Sequence, residues 1–397
     1  MATAVRRTTP TYATRTVVGD SSATSPPFAW HAPTVVFAAV CVMIGVYWDI
    51  SWHMSIGRDT FWTPAHLMIQ AGGLIAGGTS GYVALRTTFG TDQAAHDAAV
   101  SFWGFRAPLG AWVCIWGCAA MVASAPFDNW WHNAYGLDVR IISPPHTILA
   151  LGIGAIGVGA LLLSLAQQNR EGGGNRQRTA MWLFVVAGAL LLMDRSIMLT
   201  EYSFKNVQHG GPFYRASMLA YPMAIAMMTR ASKLKWAGTL TAAVFMAIML
   251  GLMWVIQLFP ATPKLGPIYQ PITHMVAMSF PVLIVVPAFG VDLVVSRVRA
   301  RPAVLAAIIS VVFFALFIAV QWPFASFLMS PAARNAFFNA DNFVYWLSPS
   351  GVEWNRTWAI EDAGSPLIAQ FGFALVLGWL SSYIGLWFGT WMTKVRR

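Results

Sequence analysis

Charge is what this chain has least of. Only 10% of its 397 residues are Asp, Glu, Lys or Arg, and acidic side chains number 15. A soluble globular chain carries about a quarter charged residues, so an ordinary water-exposed fold is excluded. Cysteine is nearly absent as well: Cys41, Cys114 and Cys118 all fall in apolar stretches. Three such thiols exclude a disulfide framework and read as small packing residues.

What fills the chain instead is apolar. Hydrophobic residues make up 57% and the mean hydropathy is +0.58, the profile of a polytopic membrane protein. Apolar stretches of about 20 residues, enough to cross a bilayer core as helix, recur about ten times. They lie near 32–50, 64–85, 107–126, 145–166, 180–199, 213–230, 236–259, 272–295, 303–325 and 366–390. The expected fold is all-α, a transmembrane bundle of about ten spans.

A net charge of +10 would suit nucleic acid, but its distribution excludes that partner. Most Lys and Arg fall between alternate spans on one side, from Arg6 and Arg7 through Arg170, Arg176, Arg178, Lys233, Lys235, Arg297, Arg299 and Arg301 to Lys394, Arg396 and Arg397. This positive-inside pattern places both termini in the cytoplasm and the chain, multi-pass, in the inner cell membrane. Residues 1–28, rich in Thr, Ser, Ala and Pro, read as a disordered cytoplasmic tail. Residues 29–166 then form one region, 167–179 a cytoplasmic linker, and 180–397 further spans with an outer loop at about 326–364.

Within 29–166 one pattern occurs twice. Asp49, His53 and His66 stand in "YWDISWHMSIGRDTFWTPAHLMI", and Asp128, His132 and His146 in "PFDNWWHNAYGLDVRIISPPHTIL". Asp and the first His, four apart, share a helix face. The second His begins the following helix, two places after Pro64 or Pro144, residues suited to a first helical turn. Each hairpin therefore gathers one carboxylate and two imidazoles at the non-cytoplasmic end of the bundle, leaving positions open for substrate or water. Such a set suits copper, iron or zinc. Asp59 and Asp138 read as partners of the imidazoles from outside the ligand set, or as ion pairs with Arg58 and Arg140. Ionisable residues at membrane depth tend to be functional. Trp52, Trp62, Trp130 and Trp131 read as walls of the two sites.

The first of these segments resembles the signature of the C subunit of the copper membrane monooxygenases, the particulate methane and ammonia monooxygenases. Asp49, His53, Arg58, Asp59, Thr60, Thr63, Pro64 and His66 match it. In the second, His132, Pro144 and His146 match that subunit's other copper site, while Asp128 stands where the family typically has Asn. The resemblance covers about residues 45–150. It implies copper, dioxygen activation and hydroxylation of a small molecule such as a short alkane or ammonia, with Asp49, His53 and His66 as the catalytic metal ligands. It further implies an oligomer with A-like and B-like partner subunits.

Other polar residues read more plainly. Glu201, His209 and His274 fall on the side of the two motifs, where interfacial hydrogen bonding outweighs a further ligand or proton relay. Asp194 and Arg195 read as a buried ion pair. Two other classes remain open: a transporter, whose sites would sit nearer the midplane, and a structural subunit whose metals pin hairpins together.

Overall fold

Helix dominates because the apolar stretches must satisfy their own backbone groups. The computed structural model describes residues 30–60, 62–136, 143–359 and 364–397, apart from the side chain of His132. The helices are α1 His31–Ser55, α2 Pro64–Phe89, α3 Gln93–Asp97, α4 Leu109–Tyr135, α5 Pro144–Arg170 and α6 Gly174–Met198. They continue with α7 Gly211–Ala231, α8 Ala237–Ile256, α9 Val285–Arg297, α10 Pro302–Met329, α11 Pro349–Arg356 and α12 Leu367–Met392. A two-stranded ribbon, β1 Val100–Phe102 and β2 Phe105–Ala107, makes the fold nearly rather than wholly all-α. Among the described residues, seven helices, α1, α4, α5, α6, α8, α10 and α12, are long and apolar enough to cross a membrane. The expected tail, 1–28, lies outside the described residues.

Two hairpins, α1 with α2 and α4 with α5, pack side by side, and α6 joins them to α8 and to a second group of α7, α9, α10 and α12. Close approach within each hairpin depends on glycine. A Cβ at Gly72 would lie 2.8 Å from the Ala38 carbonyl of α1, and one at Gly117 would lie 2.9 Å from the Gly152 carbonyl of α5. Small residues that let backbones touch are the usual means of joining helices in an apolar medium. The repeated glycine of the motif has a separate task. Gly57 and Gly136, just past the ends of α1 and α4, adopt φ +83° and +86°. That left-handed conformation ends a helix and is inexpensive only for glycine.

Three expectations change. The eighth expected span, 272–295, is not one helix: residues up to about 284 are irregular or extended, and α9 has only 13 residues. Pro281 breaks it from within, and Pro260, Pro263, Pro267 and Pro271 keep the stretch before it from joining a helix, since each lacks an amide hydrogen and clashes with a preceding helical turn. The linker 167–179 shrinks to 171–173, between α5 and α6. Helix α5 is extended because Gln168 donates to the Ala231 carbonyl at 3.1 Å, and Asn169 to the Met392 and Val395 carbonyls at 2.9 and 2.8 Å. Asp194 and Arg195 do not pair. Neighbours in a helix point apart, so Arg195 donates to the Leu191 carbonyl at 3.0 Å and Asp194 lines a small cavity against α1 and α5.

Asp292 of α9 ties that helix to α7 and α8. Buried, it accepts from Thr229 Oγ1 at 2.6 Å, the Gly238 and Thr239 amides at 3.1 and 2.7 Å, and Thr239 Oγ1 at 2.6 Å. It thus caps the start of α8 from another helix, where a carboxylate also meets the positive end of the helix dipole. Asp292→Ala should lower stability by about 1–3 kcal/mol, the cost of buried amides left without an acceptor. Denaturation of the detergent-purified protein measures it, and an unchanged midpoint would refute the capping role.

Candidate metal centre

The end of α1 and the start of α2 face each other across the loop 56–63. One ligand atom from each of Asp49, His53, Asp59 and His66 falls within 4.8 Å of all the others. His66 Nε2 lies 3.0 Å from Asp49 Oδ1 and 3.4 Å from Asp59 Oδ2, while His53 Nε2 lies 3.4 Å from Asp59 Oδ2 and 3.9 Å from Asp49 Oδ1. Bonds of about 2.1 Å to a tetrahedral ion put neighbouring ligand atoms roughly 3.4 Å apart. The spacings here, 3.0 to 3.9 Å, bracket that value, so the four side chains could hold one ion.

Local structure accounts for each position. Asp49 and His53 sit on one face of α1 at spacing four. Gly57 turns the chain, the Trp52 indole N–H holds the loop by donating to the Arg58 carbonyl at 3.0 Å, and Asp59 is thereby swung back over the helix end. Pro64 starts α2 as expected and puts His66 in its first turn. His66 Nδ1 meets the Thr60 carbonyl at 2.9 Å. That bond holds the ring proton on Nδ1 and leaves Nε2, the atom facing the carboxylates, as a ligand.

Asp59 is thus in the ring with the imidazoles, and it makes no ion pair with Arg58, whose side chain is turned out and exposed. Two carboxylates this close, ionised together, repel by roughly 3–4 kcal/mol at an effective dielectric of about 20. Among the described residues only the two imidazoles come within 4 Å of them as counter-charges. Asp49 Oδ1 is shielded from solvent with no hydrogen bond of good geometry, despite its 3.0 Å contact with His66. A divalent cation would relieve both conditions.

Comparison with family models, with curated proteins and with solved structures returns no match. In the second hairpin, Pro144 opens α5, the Ser143 hydroxyl accepts from the His146 amide at 3.4 Å, and His146 Nε2 lies 3.5 Å from Asp128 Oδ1. The His132 side chain and Asp138 lie outside the described residues. Glu201, His209 and His274 do not join the first cluster. His209 is stacked between the rings of Trp322 and Trp358, at 3.9 Å from each, and His274 meets Thr273 Oγ1 at 2.9 Å. Trp52 is half-buried beside the first site, whereas Trp62 and Trp130 are largely exposed.

Residues far along the chain clamp the site. Ser51 Oγ donates to the Val276 carbonyl at 2.5 Å, and Ser55 Oγ accepts from the Val276 amide at 2.7 Å. The Lys264 amide donates to the Ile56 carbonyl at 2.9 Å and the Tyr345 amide to that of Met54 at 3.4 Å. The irregular segment 257–284 thus grips the turn of α1 that carries His53. Two serines four apart on an apolar helix were the signal in the sequence, and their partner could not be read from it.

Two outcomes follow. Ser51→Ala with Ser55→Ala should weaken metal binding by about tenfold, the lower range for loss of groups that orient ligands; chelator competition measures it, and unaltered affinity refutes the clamp. The hydrogen bond from His53, outweighing burial, holds the Asp59 carboxyl below its ordinary range. A depressed carboxyl stabilises the fold above its unfolded value, about 3.9, and that gain is lost as pH falls through the lowered value. Acid titration of the metal-free protein should therefore show a loss below about pH 4 that Asp59→Asn abolishes.

Proposed function

We propose that this chain is a multi-pass membrane metalloprotein whose Asp49, His53, Asp59 and His66 hold one divalent metal ion. We propose further that it is a copper-dependent monooxygenase, or the metal-bearing C-type subunit of one, acting on a small molecule such as a short alkane or ammonia. The observation that carries the metal assignment is the gathering of four ligand atoms within 4.8 Å from a helix end, a loop and a helix start. The copper and monooxygenase assignments rest on the resemblance of residues 45–150. A set of two imidazoles and two carboxylates, without sulfur, fits copper(II), iron(II) or zinc better than copper(I). When bound, a redox-active ion would supply one-electron chemistry toward dioxygen. The protein's part is to hold the ligand atoms at fixed spacing, to keep His66 in one tautomer through Thr60, and to leave a half-open face, since the His53 side chain is 45% exposed.

On this reading Asp128, His132 and His146 form a second site, both sites face the non-cytoplasmic side, and A-like and B-like subunits complete the enzyme. A second reading has one observation in its favour. Four protein ligands already complete a tetrahedral shell, as in structural rather than catalytic zinc sites, so the ion could simply staple the hairpin.

His66→Ala should remove about one metal equivalent from purified protein, and Asp128→Ala should leave that equivalent in place. Unchanged metal content in His66→Ala would sink the proposal. Perturbation of the metal's spectrum by azide or nitric oxide favours the enzyme, and its indifference to both favours the staple.

A further inference from the structure

On the same end of the bundle three cations converge on one carboxylate. Lys205 Nζ lies 2.9 Å from Asp341 Oδ1 and also donates to the Ala340 carbonyl. Arg356 donates to Asp341 Oδ2 from Nε at 3.0 Å and Nη2 at 2.6 Å, and Arg334 Nε stands 3.4 Å from that oxygen. The Phe343 ring underlies Lys205 and Arg356, with its centroid 5.7 and 5.5 Å away. Lys205 and Asp341 are nearly buried at 10% and 12% side-chain exposure, while the Arg334 and Arg356 side chains are 35% and 43% exposed.

Among the described residues, three positive charges against one negative leave an excess of two. No other carboxylate among the described residues lies within 4 Å of these cations. Arg356 spends Nε and Nη2 on a single oxygen, and Arg334 only brushes it, so both forks keep donors uncommitted on their exposed side. Paired guanidinium forks match the oxygens of phosphate, whose charge of roughly −1.5 to −2 fits the excess. A single carboxylate would neutralise only half of it.

We propose that Lys205, Arg334 and Arg356, braced by Asp341, form a binding site for a phosphate group at the end of the bundle that carries the metal cluster. Tyr345, which meets Met54 of α1, is four residues from Asp341, so the two sites are connected by at most about 14 Å of extended chain. Burial, reinforced by the two arginines and opposed by Asp341, pushes the Lys205 ammonium below its ordinary range. A bound anion would reverse that direction. Lys205 and Asp341 would act as a fixed base plate and the two arginines as movable jaws. The assignment does not depend on the metal, and the two can fail separately.

The test titrates inorganic phosphate into the full-length purified chain at constant ionic strength. Saturable binding is expected, weakened at least tenfold by R334Q or R356Q, with R356K intermediate because it keeps the charge and loses the fork. A parallel arm reconstitutes the protein with phosphatidic acid against phosphatidylcholine. Selective retention of phosphatidic acid, lost in R334Q, assigns the phosphate to a lipid headgroup; binding of inorganic phosphate alone assigns it to a soluble ligand. Binding of neither probe, or binding indifferent to both variants that retain the wild-type thermal midpoint, overturns the proposal. E361Q/D362N guards against an internal neutraliser, since that acidic pair follows Ala359, whose amide meets the Asn206 carbonyl beside Lys205. Phosphate binding that emerges only in this variant would also overturn it.

Discussion

An irregular backbone inside an apolar bundle must find every hydrogen bond within the protein, because no lipid can supply one. The buried part of segment 257–284, residues 275–284, imposes that demand here. Its carbonyls and amides are met by Ser51 and Ser55 at Val276, by Asn339 at Ala277 and Met278, at 3.1 and 2.8 Å, and by Gln321 at the Leu283 amide, at 2.8 Å. Gln321 in turn donates to Gln208 Oε1 at 2.7 Å. These side chains come from α1, α10 and the loops around them, so satisfying one proline-rich stretch fixes the position of several elements. The end of α1, with Asp49 and His53, is among them.

The metal cluster therefore has two supports of different origin. One is local, made by the hairpin itself: spacing four on α1, a left-handed glycine, a tryptophan holding the loop, and a proline opening α2. The other is distant, made by segment 257–284 and Tyr345. A half-open cluster with two carboxylates would splay under its own repulsion if only the loop held it. The second hairpin repeats the glycine turn and the proline start, and Asp128 and His146 meet there as their counterparts do in the first.

Much of the local half was legible in the sequence. Asp49 with His53, Pro64 before His66, and the repeat at Asp128 and His146 all follow from helical periodicity and proline preference. The role of Asp59 was not legible, because a loop residue's direction depends on φ at Gly57 and on where the Trp52 indole points. Hydropathy marked 272–295 as a span since it weighs side chains and ignores the amide that Pro281 lacks; that proline, well inside the stretch, would have broken it. Asp194 and Arg195 are adjacent in number and for that reason point apart on the helix. Lys205 and Asp341 lie 136 positions apart, and no periodicity links such residues.

The central claim is that Asp49, His53, Asp59 and His66 surround a single ion. X-ray absorption at the metal edge of the copper- or iron-loaded protein, with the second hairpin silenced by Asp128→Ala, addresses it most directly. The account predicts two imidazole shells and two oxygen ligands at about 2.0–2.2 Å, with one oxygen lost or replaced by water in Asp59→Asn. A spectrum without imidazole scattering, or one identical in Asp59→Asn and Asp49→Asn, would contradict it.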